Sequence, residues 1–352
     1  MKRINKLLSL LLAVLMLATL FTACGDTAVD DDSTTDDTVT GTDSEEEEAE
    51  LIELNVAYMP NYASLWSVLT AIDQGYFEEE GLEVNLIEFA DGPTIIAAME
   101  GGSVDFGYIG QGAHKLCVQG NATIILMSHI GNADAVIGGA NVTSLEDLAG
   151  KTVAYSSGTS SETILLSALQ SVGLTMDDIT AMDMDSTSMV TAMLSGSVDA
   201  CAVWSPASLT ILEEDETCTL LCDNSTFSDT TVSIASWIAT PEYLEENEDV
   251  AVKFVRALLK GMTYGAGEAN YEYVSELVAT QCAVDYETAY EQRGDGEWFT
   301  ADMISEAISD GTMEAYYQLQ QDNFLSAGSI EEGDVCDVST YVAYDIMTEA
   351  LS

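Results

Sequence analysis

Two short polar loops, each placed directly after an apolar segment, carry groups that could bind a small molecule. The first loop follows residues 55–58 and contains Asn61 and Tyr62, whose amide and hydroxyl groups can hydrogen-bond a ligand. A turn built on Pro60 and Asn61 would explain the same residues without any ligand. We expect at least one of the two side chains to contact a ligand.

The second loop follows residues 152–155 and opens a helical pattern, so its chemistry is that of a helix N-terminus. The free N–H groups and partial positive charge there suit a carboxylate, sulfonate or phosphate. Capping of the helix by Thr159 or Ser160 is expected in any case, and a ligand contact in addition is the functional hypothesis. The candidate contact residues of this loop are Ser157, Gly158, Thr159 and Ser160.

Three ring-bearing residues near predicted strand ends are further candidates. Trp204 ends an apolar segment, where its face could stack on a planar ligand, with burial in the core as the alternative. Trp237 lies in a predicted crossover strand, so ligand contact and simple packing are equally open. His129 could donate to an anion or respond to pH, although a lone histidine is more often structural. Other loop positions expected to face a ligand are Gly110, Gln111 and Ser186.

The elements that must position these residues occur in two similar halves. Residues 97–105 and 191–199 share the pattern of a helix end, a turn and a new strand, and both end in Gly-Ser-Val-Asp. Strands that alternate with helices predict βαβ units and a parallel sheet in each half. Ligands of open α/β sheets bind beyond the carboxyl ends of the strands, so we expect the loops of both halves to line one cleft. The hinges between the halves are expected at residues 131–139 and 233–239.

The first 50 residues have the composition of an export signal followed by a tether. Residues 1–23 combine a basic start, an apolar run and a small residue before Cys24, which is typical of a cleaved signal peptide. The segment 20–24 resembles a bacterial lipobox, apart from Phe21 at a usually aliphatic position, and this resemblance implies lipidation of Cys24. A plain secretory signal with an incidental cysteine is the alternative. Residues 24–50 are acidic and lack cations and aromatic residues, which predicts an extended linker.

Charge limits the partners of this chain. It has 352 residues, and its 61 acidic and 9 basic side chains give a formal net charge of −52. Such a balance excludes a nucleic-acid-binding surface, because that surface needs clustered cations. Lys115 is the only cation near a predicted cleft loop. A small anion would bind against an unfavourable field, so we expect a zwitterionic, neutral or cationic organic solute.

No pattern in the chain indicates a catalytic or metal centre. The two histidines lack partners at metal-ligand spacing, and the six cysteines after Cys24 show no disulfide framework. No pairing of a nucleophile with a base is recognisable. We therefore expect no catalytic residue, no metal and no cofactor.

Taken in order, these motifs resemble the solute-binding proteins of ABC importers of the aliphatic-sulfonate, taurine, nitrate and thiamine-precursor type. The resemblance implies a type II periplasmic-binding-protein fold of the α/β class, in which two lobes joined by crossover strands close on a small molecule. Ser205 departs from the glutamate that many relatives carry before the proline, so ligand identity does not carry over there. The segments that carry the resemblance are residues 74–84, 98–107, 145–154, 158–160 and 198–206.

The resemblance also implies a domain organisation. Residues 51–138 and 237–352 would form the first lobe, and residues 139–236 the second. The segment after residue 240 is mostly helical, with one long helix expected at 303–325, and would pack back on the first lobe.

The expected function is capture of a small solute and its delivery to ABC permease subunits. The protein would act as a monomer at the outer face of the cytoplasmic membrane, held there through Cys24. A sulfonate, taurine or a nitrate-like anion is the alternative ligand. An enzyme acting on a pyrimidine-type substrate is the alternative function, because yeast-type pyrimidine synthases share this fold, but their Cys-rich motif is absent here. Gly- and Ser-rich cleft loops argue against a surface scaffold.

Overall fold

The computed structural model describes residues 51–352, which form two β-sheets covered by helices. The expected signal peptide, the lipidated Cys24 and the acidic linker lie outside the described residues. The strands are β1 (Ile52–Tyr58), β2 (Leu82–Glu88), β3 (Phe106–Ile109), β4 (Thr123–Gly131), β5 (Asp134–Gly138), β6 (Thr152–Tyr155), β7 (Thr180–Asp183), β8 (Ala200–Trp204), β9 (Thr219–Asp223), β10 (Ile234–Ala239) and β11 (Gly296–Trp298). The helices are α1 (Tyr62–Asp73), α2 (Tyr76–Glu79), α3 (Gly92–Glu100), α4 (His114–Val118), α5 (Ser160–Ser171), α6 (Ser186–Leu194), α7 (Ala207–Glu214), α8 (Pro241–Gly265), α9 (Tyr271–Cys282), α10 (Tyr286–Glu291), α11 (Ala301–Ser309), α12 (Thr312–Ser326) and α13 (Tyr344–Ala350).

The first sheet has the strand order β2-β1-β3-β10-β4-β11. Strands β1, β2 and β3 are parallel, because helices connect them in sequence. Strands β10, β4 and β11 pair antiparallel with their neighbours. The expectation of a parallel sheet is therefore correct only for β1–β3. The reason is that the chain enters β10 on its return from the second sheet and so runs in the opposite direction.

The second sheet repeats this plan with the order β7-β6-β8-β5-β9, in which β6, β7 and β8 are parallel and β5 and β9 are antiparallel. The aspartate that ends the repeated Gly-Ser-Val-Asp has the same role in both halves. Asp105 accepts a hydrogen bond from the Asn55 N–H at 2.7 Å, and Asp199 accepts one from the Thr152 N–H at 2.8 Å. Each aspartate ties the start of β3 or β8 to the strand beside it. The predicted twin βαβ units are therefore confirmed.

Two neighbouring segments carry the chain between the sheets. Strand β4 ends at Gly131, and on the return path Ser233 precedes β10. The Gly131 N–H donates to the Ser233 carbonyl at 2.6 Å, so the two crossings run side by side inside the predicted hinge segments. The expected lobe boundaries need a small correction. Residues 134–138 pair with β8 in the second sheet, and residues 234–236 already pair with β4 in the first.

Helices after residue 240 complete the core of the first sheet. Thr240 caps α8 through its side chain, and Pro241 takes the first turn, as suits the start of a helix. Phe254 of α8 stacks on Phe106 of β3 with 4.1 Å between ring centroids. The helical segment thus packs on the first lobe, as expected.

The single helix expected at residues 303–325 is instead a pair of helices, α11 and α12. Gly311 lies between them with a φ of 80°, a left-handed backbone conformation that ends a helix. Within residues 51–352, no helix combines the length and the apolar character that a membrane span needs. The six cysteines of this part of the chain are all unpaired.

Candidate ligand-binding site

A cavity of about 70 Å³ lies between the two sheets, beyond the carboxyl ends of their parallel strands. The loops that follow β1 and β3 approach it from the first lobe, and those that follow β6 and β8 from the second. The predicted cleft therefore exists, and both lobes line it. The polar lining residues are Asn61, Tyr108, Gln111, His129, Asp134, Thr159, Ser160, Trp204, Ser205, Ser233 and Asp295.

Part of the predicted contact set meets in this cavity. Asn61 lines it and also caps α1, since its Oδ1 accepts from the Ser64 N–H at 2.9 Å. Thr159 lines it and caps α5, where its hydroxyl accepts from the Ser161 N–H at 3.2 Å. The expected helix capping is confirmed, whereas contact with a ligand stays a prediction. The predicted residues that line the cavity are Asn61, Gly110, Gln111, His129, Thr159, Ser160 and Trp204.

Two predicted aromatic contacts are core residues and do not line the cavity. Trp237 is completely buried, with its ring edge-on to Tyr108 and Phe254, because helices cover both faces of the central strand β10. Tyr62 opens α1 but turns inward, and its ring packs on Trp298 at 5.3 Å between centroids. Trp237 therefore has the packing role that was the alternative to ligand contact. Tyr62 also packs in the core, which corrects the expectation that it contacts a ligand.

Three further candidates lie beside the cavity without lining it. Ser157 is exposed, and its N–H donates to Asp183 at 3.0 Å. Gly158 adopts a φ of 77° and packs against Pro93 of the opposite lobe, so it contributes to lobe contact. Ser186 lines a separate groove, which it shares with Trp204 and Pro206. These placements correct the expected contact set.

His129 lies in the wall of the cavity and is 2% exposed. Its ring packs on Trp298 at 4.8 Å between centroids, and Nδ1 lies 3.1 Å from the Ser128 hydroxyl. Burial lowers the pKa of His129 to about 3, because a charged imidazolium would lose its hydration. His129 is therefore neutral near pH 7, so it neither carries a positive charge for an anion nor responds to pH in that range.

The cavity also contains residues that sequence reasoning missed. Asp134 and Ser233 both occupy the predicted hinge segments, and that position was the available signal. Tyr108 is the strand residue that precedes Ile109 and the predicted loop at Gly110. No sequence pattern marked Asp295 as a site residue, since it comes from the helical C-terminal region and precedes the short edge strand β11. The hinge segments thus add to the lining that the loops provide.

Both acidic residues of the cavity have unusual surroundings. Asp134 is 5% exposed, and its Oδ2 accepts from Asn224 Nδ2 at 3.0 Å and from Ser233 Oγ at 3.3 Å. Burial raises the pKa of Asp134, and these hydrogen bonds only partly offset the rise. Burial also raises the pKa of Asp295 to about 7, with the Ser205 hydroxyl opposing the rise and the charge of Asp134 adding to it. Ionising both groups is unfavourable unless a positive partner is present.

Lys115, the cation expected near the cleft, does not line the cavity. Its Nζ forms a salt bridge with Glu162 at 2.9 Å, which joins α4 of the first lobe to α5 of the second. Glu162 also accepts from the Gly158 N–H at 3.0 Å. The salt bridge holds the lobes together at one side of the cavity, so the structure is in a closed arrangement.

Solved structures with the same architecture identify the fold. The aliphatic sulphonate binding protein SsuA from Escherichia coli superposes with a TM-score of 0.64 at 19% identity, over 84% of this chain and 99% of the other. The nitrate-binding protein NrtA from Synechocystis PCC 6803 has a TM-score of 0.65 at 12% identity, over 86% and 88%. The desulfurization enzyme DSZB has a TM-score of 0.59 at 15% identity, over 85% and 99%. The type II periplasmic-binding-protein fold expected from the sequence is confirmed.

The two-lobed fold and the cavity between its lobes are those of the periplasmic-binding-protein class. A family model described as NMT1/THI5 like matches residues 63–268, and the chain belongs to that family. A protein of Brucella abortus, named as a binding protein, is 28% identical over 80% of this chain and 88% of its own length. The taurine-binding periplasmic protein of Escherichia coli is 23% identical over 60% of this chain and 66% of its own length.

Proposed function

We propose that this protein captures one small organic solute in the cavity between its lobes and delivers it to the subunits of an ABC permease. The observation that carries the proposal is that polar side chains of both lobes line a single cavity at the hinge. A solute that contacts both lobes favours their closed arrangement, because those contacts are lost when the lobes separate. A closed, loaded protein is then the form that a permease can distinguish from the empty one.

The proposal includes a position at the outer face of the cytoplasmic membrane. Its support is the sequence around Cys24, which has the features of a lipidated export signal, and the periplasmic location of the taurine-binding relative. The acidic linker of residues 24–50 would hold the folded lobes away from the membrane. A monomer is the form we propose to meet the permease.

The alternative function is an enzyme, and the fold alone does not decide between the two, since DSZB shares it. The cavity lining favours binding: within residues 51–352 it includes neither a cysteine nor a lysine that could act as a nucleophile. His129 has a strongly lowered pKa and is a poor proton acceptor near pH 7. Recovery of a bound solute in unchanged form, measured by mass spectrometry after long incubation, distinguishes the two functions.

The experiment that tests the proposal is a thermal-shift screen of the purified mature protein against amines, sulfonates, pyrimidines and oxyanions. A solute that binds only the native state raises the unfolding midpoint, and the rise grows with the logarithm of its concentration above the Kd. Each hit is then titrated by calorimetry, and we expect one molecule bound per chain. A screen without a hit in any of the four classes would contradict the proposed function.

A further inference from the structure

The charged side chains that line the cavity are acidic. Asp134 and Asp295 belong to the lining, and no lysine or arginine of residues 51–352 does. His129 adds no positive charge near pH 7, because burial has lowered its pKa to about 3. A cation that enters the cavity therefore meets two carboxyl groups and no positive side chain, and its charge favours the ionised form of both.

The two carboxyl groups come from distant parts of the sequence and meet at the hinge. Asp134 begins β5 directly after the first crossing. Asp295 precedes β11, and its carbonyl accepts from the Asn132 N–H of that crossing at 2.6 Å. Hydrogen bonds from Asn224 and Ser233 hold the Asp134 carboxyl in place. Neither aspartate forms a salt bridge with a cation in the described part of the chain.

A buried hydroxyl beside this pair has no hydrogen-bond partner. Ser205 is 3% exposed and lines the cavity, and its Oγ makes no hydrogen bond of acceptable geometry within residues 51–352, although it faces Asp295. Buried polar groups in native proteins are nearly always paired with protein or with another molecule. The unpartnered Ser205 hydroxyl is therefore an independent indication that a polar ligand group binds at this point.

We propose that the cavity binds the protonated primary amine of a small organic cation, with Asp134 and Asp295 as its counter-ions and Ser205 Oγ as a third acceptor. The inference rests on the proposed function and names the ligand class of the same site. An ammonium group has three N–H donors and no acceptor, which matches two carboxylates and a hydroxyl. The rings of Tyr108 and Trp204 in the same lining also suit a cation.

A small anion suits this lining poorly. Its charge would lie next to two carboxyl groups, and like charges brought together in an interface lower affinity. A quaternary ammonium carries the favourable charge but lacks N–H donors, so it would give neither Ser205 nor the two carboxylates a hydrogen bond from the ligand. Primary amines should therefore bind more tightly than either class at equal size.

The test is a calorimetric titration of the purified mature protein with matched probes. Ethanolamine and other small primary amines are compared with their trimethylated counterparts, of which choline is one, and with their sulfonate counterparts, of which isethionate is one. We expect the best amine to bind at least about tenfold more tightly than its two counterparts. Tighter binding of the sulfonate or of the trimethylated counterpart would overturn the inference and leave the proposed function standing. Binding of no solute of any class would overturn the proposed function itself.

Substitutions test whether the two aspartates bind the amine. We expect Asp134→Asn and Asp295→Asn each to weaken binding of the best amine by at least about tenfold, since each removes one charge from a buried ion pair. Asp185→Asn is the control, because Asp185 lines the separate groove and asparagine also serves as a helix cap. Ser205→Ala, which leaves both carboxyl groups intact, should weaken binding severalfold. Unchanged amine affinity in Asp295→Asn and Ser205→Ala would overturn the inference.

Discussion

Gly112 of the first lobe lies directly against the backbone of Thr159 in the second lobe. A Cβ atom on residue 112 would overlap the Thr159 carbonyl and would come within 2.7 Å of Ser160 N. Two backbones approach here more closely than any side chain permits, so this position requires glycine. The contact exists only while the lobes are closed.

Gly112→Ala should therefore disfavour closure and weaken solute binding by about fivefold to a hundredfold, because an overlap of this kind costs about 1–3 kcal/mol. Calorimetric titration measures the loss. Gly333→Ala is the control, since a Cβ at residue 333 has no neighbour within 4 Å. Equal affinity in the two variants would mean that the lobes do not meet at Gly112 when the solute is bound.

The salt bridge between Lys115 and Glu162 joins the two lobes, and both side chains are only partly exposed. We expect Lys115→Gln to weaken solute binding by about 0.2–1 kcal/mol, and the difference from the wild type to shrink at high salt. Lys260→Gln provides the comparison, because its salt bridges to Glu79 and Glu80 lie within the first lobe. A similar loss in both variants would show that the effect does not come from lobe closure.

Trp204 is the only one of the four tryptophans that lines the cavity, and all four lie in the described part of the chain. Its change to alanine should lower solute affinity by about 1–3 kcal/mol, because a large apolar contact is lost. Trp204→Phe should retain most of the affinity and remove the fluorescence change that accompanies binding. Trp66→Phe, in the buried core, should leave that fluorescence change in place. A full signal from Trp204→Phe would remove Trp204 from the site.

Asp295 predicts a pH dependence of stability in the absence of solute. Folding raises its pKa from 3.8 to about 7, chiefly through burial. The protonated group therefore contributes stability that is fully present below about pH 4 and is lost as pH rises through about 7. The titratable groups in the same cavity are Asp134, Tyr108 and the neutral His129. Urea unfolding from pH 4 to 8 should show a steeper fall for the wild type than for Asp295→Asn. Parallel curves would contradict the raised pKa.

Binding of an amine should reverse the preference of Asp295 for its protonated form, because a cation stabilises the ionised carboxylate. Amine affinity should therefore rise with pH through about 7, and binding near that pH should release a proton. Calorimetry in two buffers of different ionisation enthalpy measures the release. Asp295→Asn should reduce the number of protons released, and any remaining release would come from Asp134, whose pKa is also raised.

Lipid attachment at Cys24 is a prediction from the sequence. Cells that express the full chain should incorporate labelled fatty acid into the protein, and the membrane fraction should contain it. Cys24→Ala should abolish the label. A soluble secreted product of the unchanged chain would contradict anchoring.

Local sequence patterns were sufficient to predict the twin βαβ units and the loops that end at Asn61, Gln111 and Thr159. The repeated Gly-Ser-Val-Asp is informative because its aspartate bonds a neighbouring strand in both halves. Such hydrogen bonds connect elements of one supersecondary unit, so a short stretch of sequence contains all the residues concerned. The same reasoning cannot tell that helices cover both faces of β10, and this coverage is the reason that Trp237 is buried.

The sequence alone was enough to predict the fold class, the two-lobed plan and the acidic character of the chain, because these depend on periodicity and composition. The tertiary structure decided which groups share the cavity. Asp134 and Asp295 meet because β11 pairs with the end of β4, a contact between elements far apart in the chain that no local pattern encodes. The raised pKa of Asp295 follows from that contact and from burial, and both exist only in the folded protein.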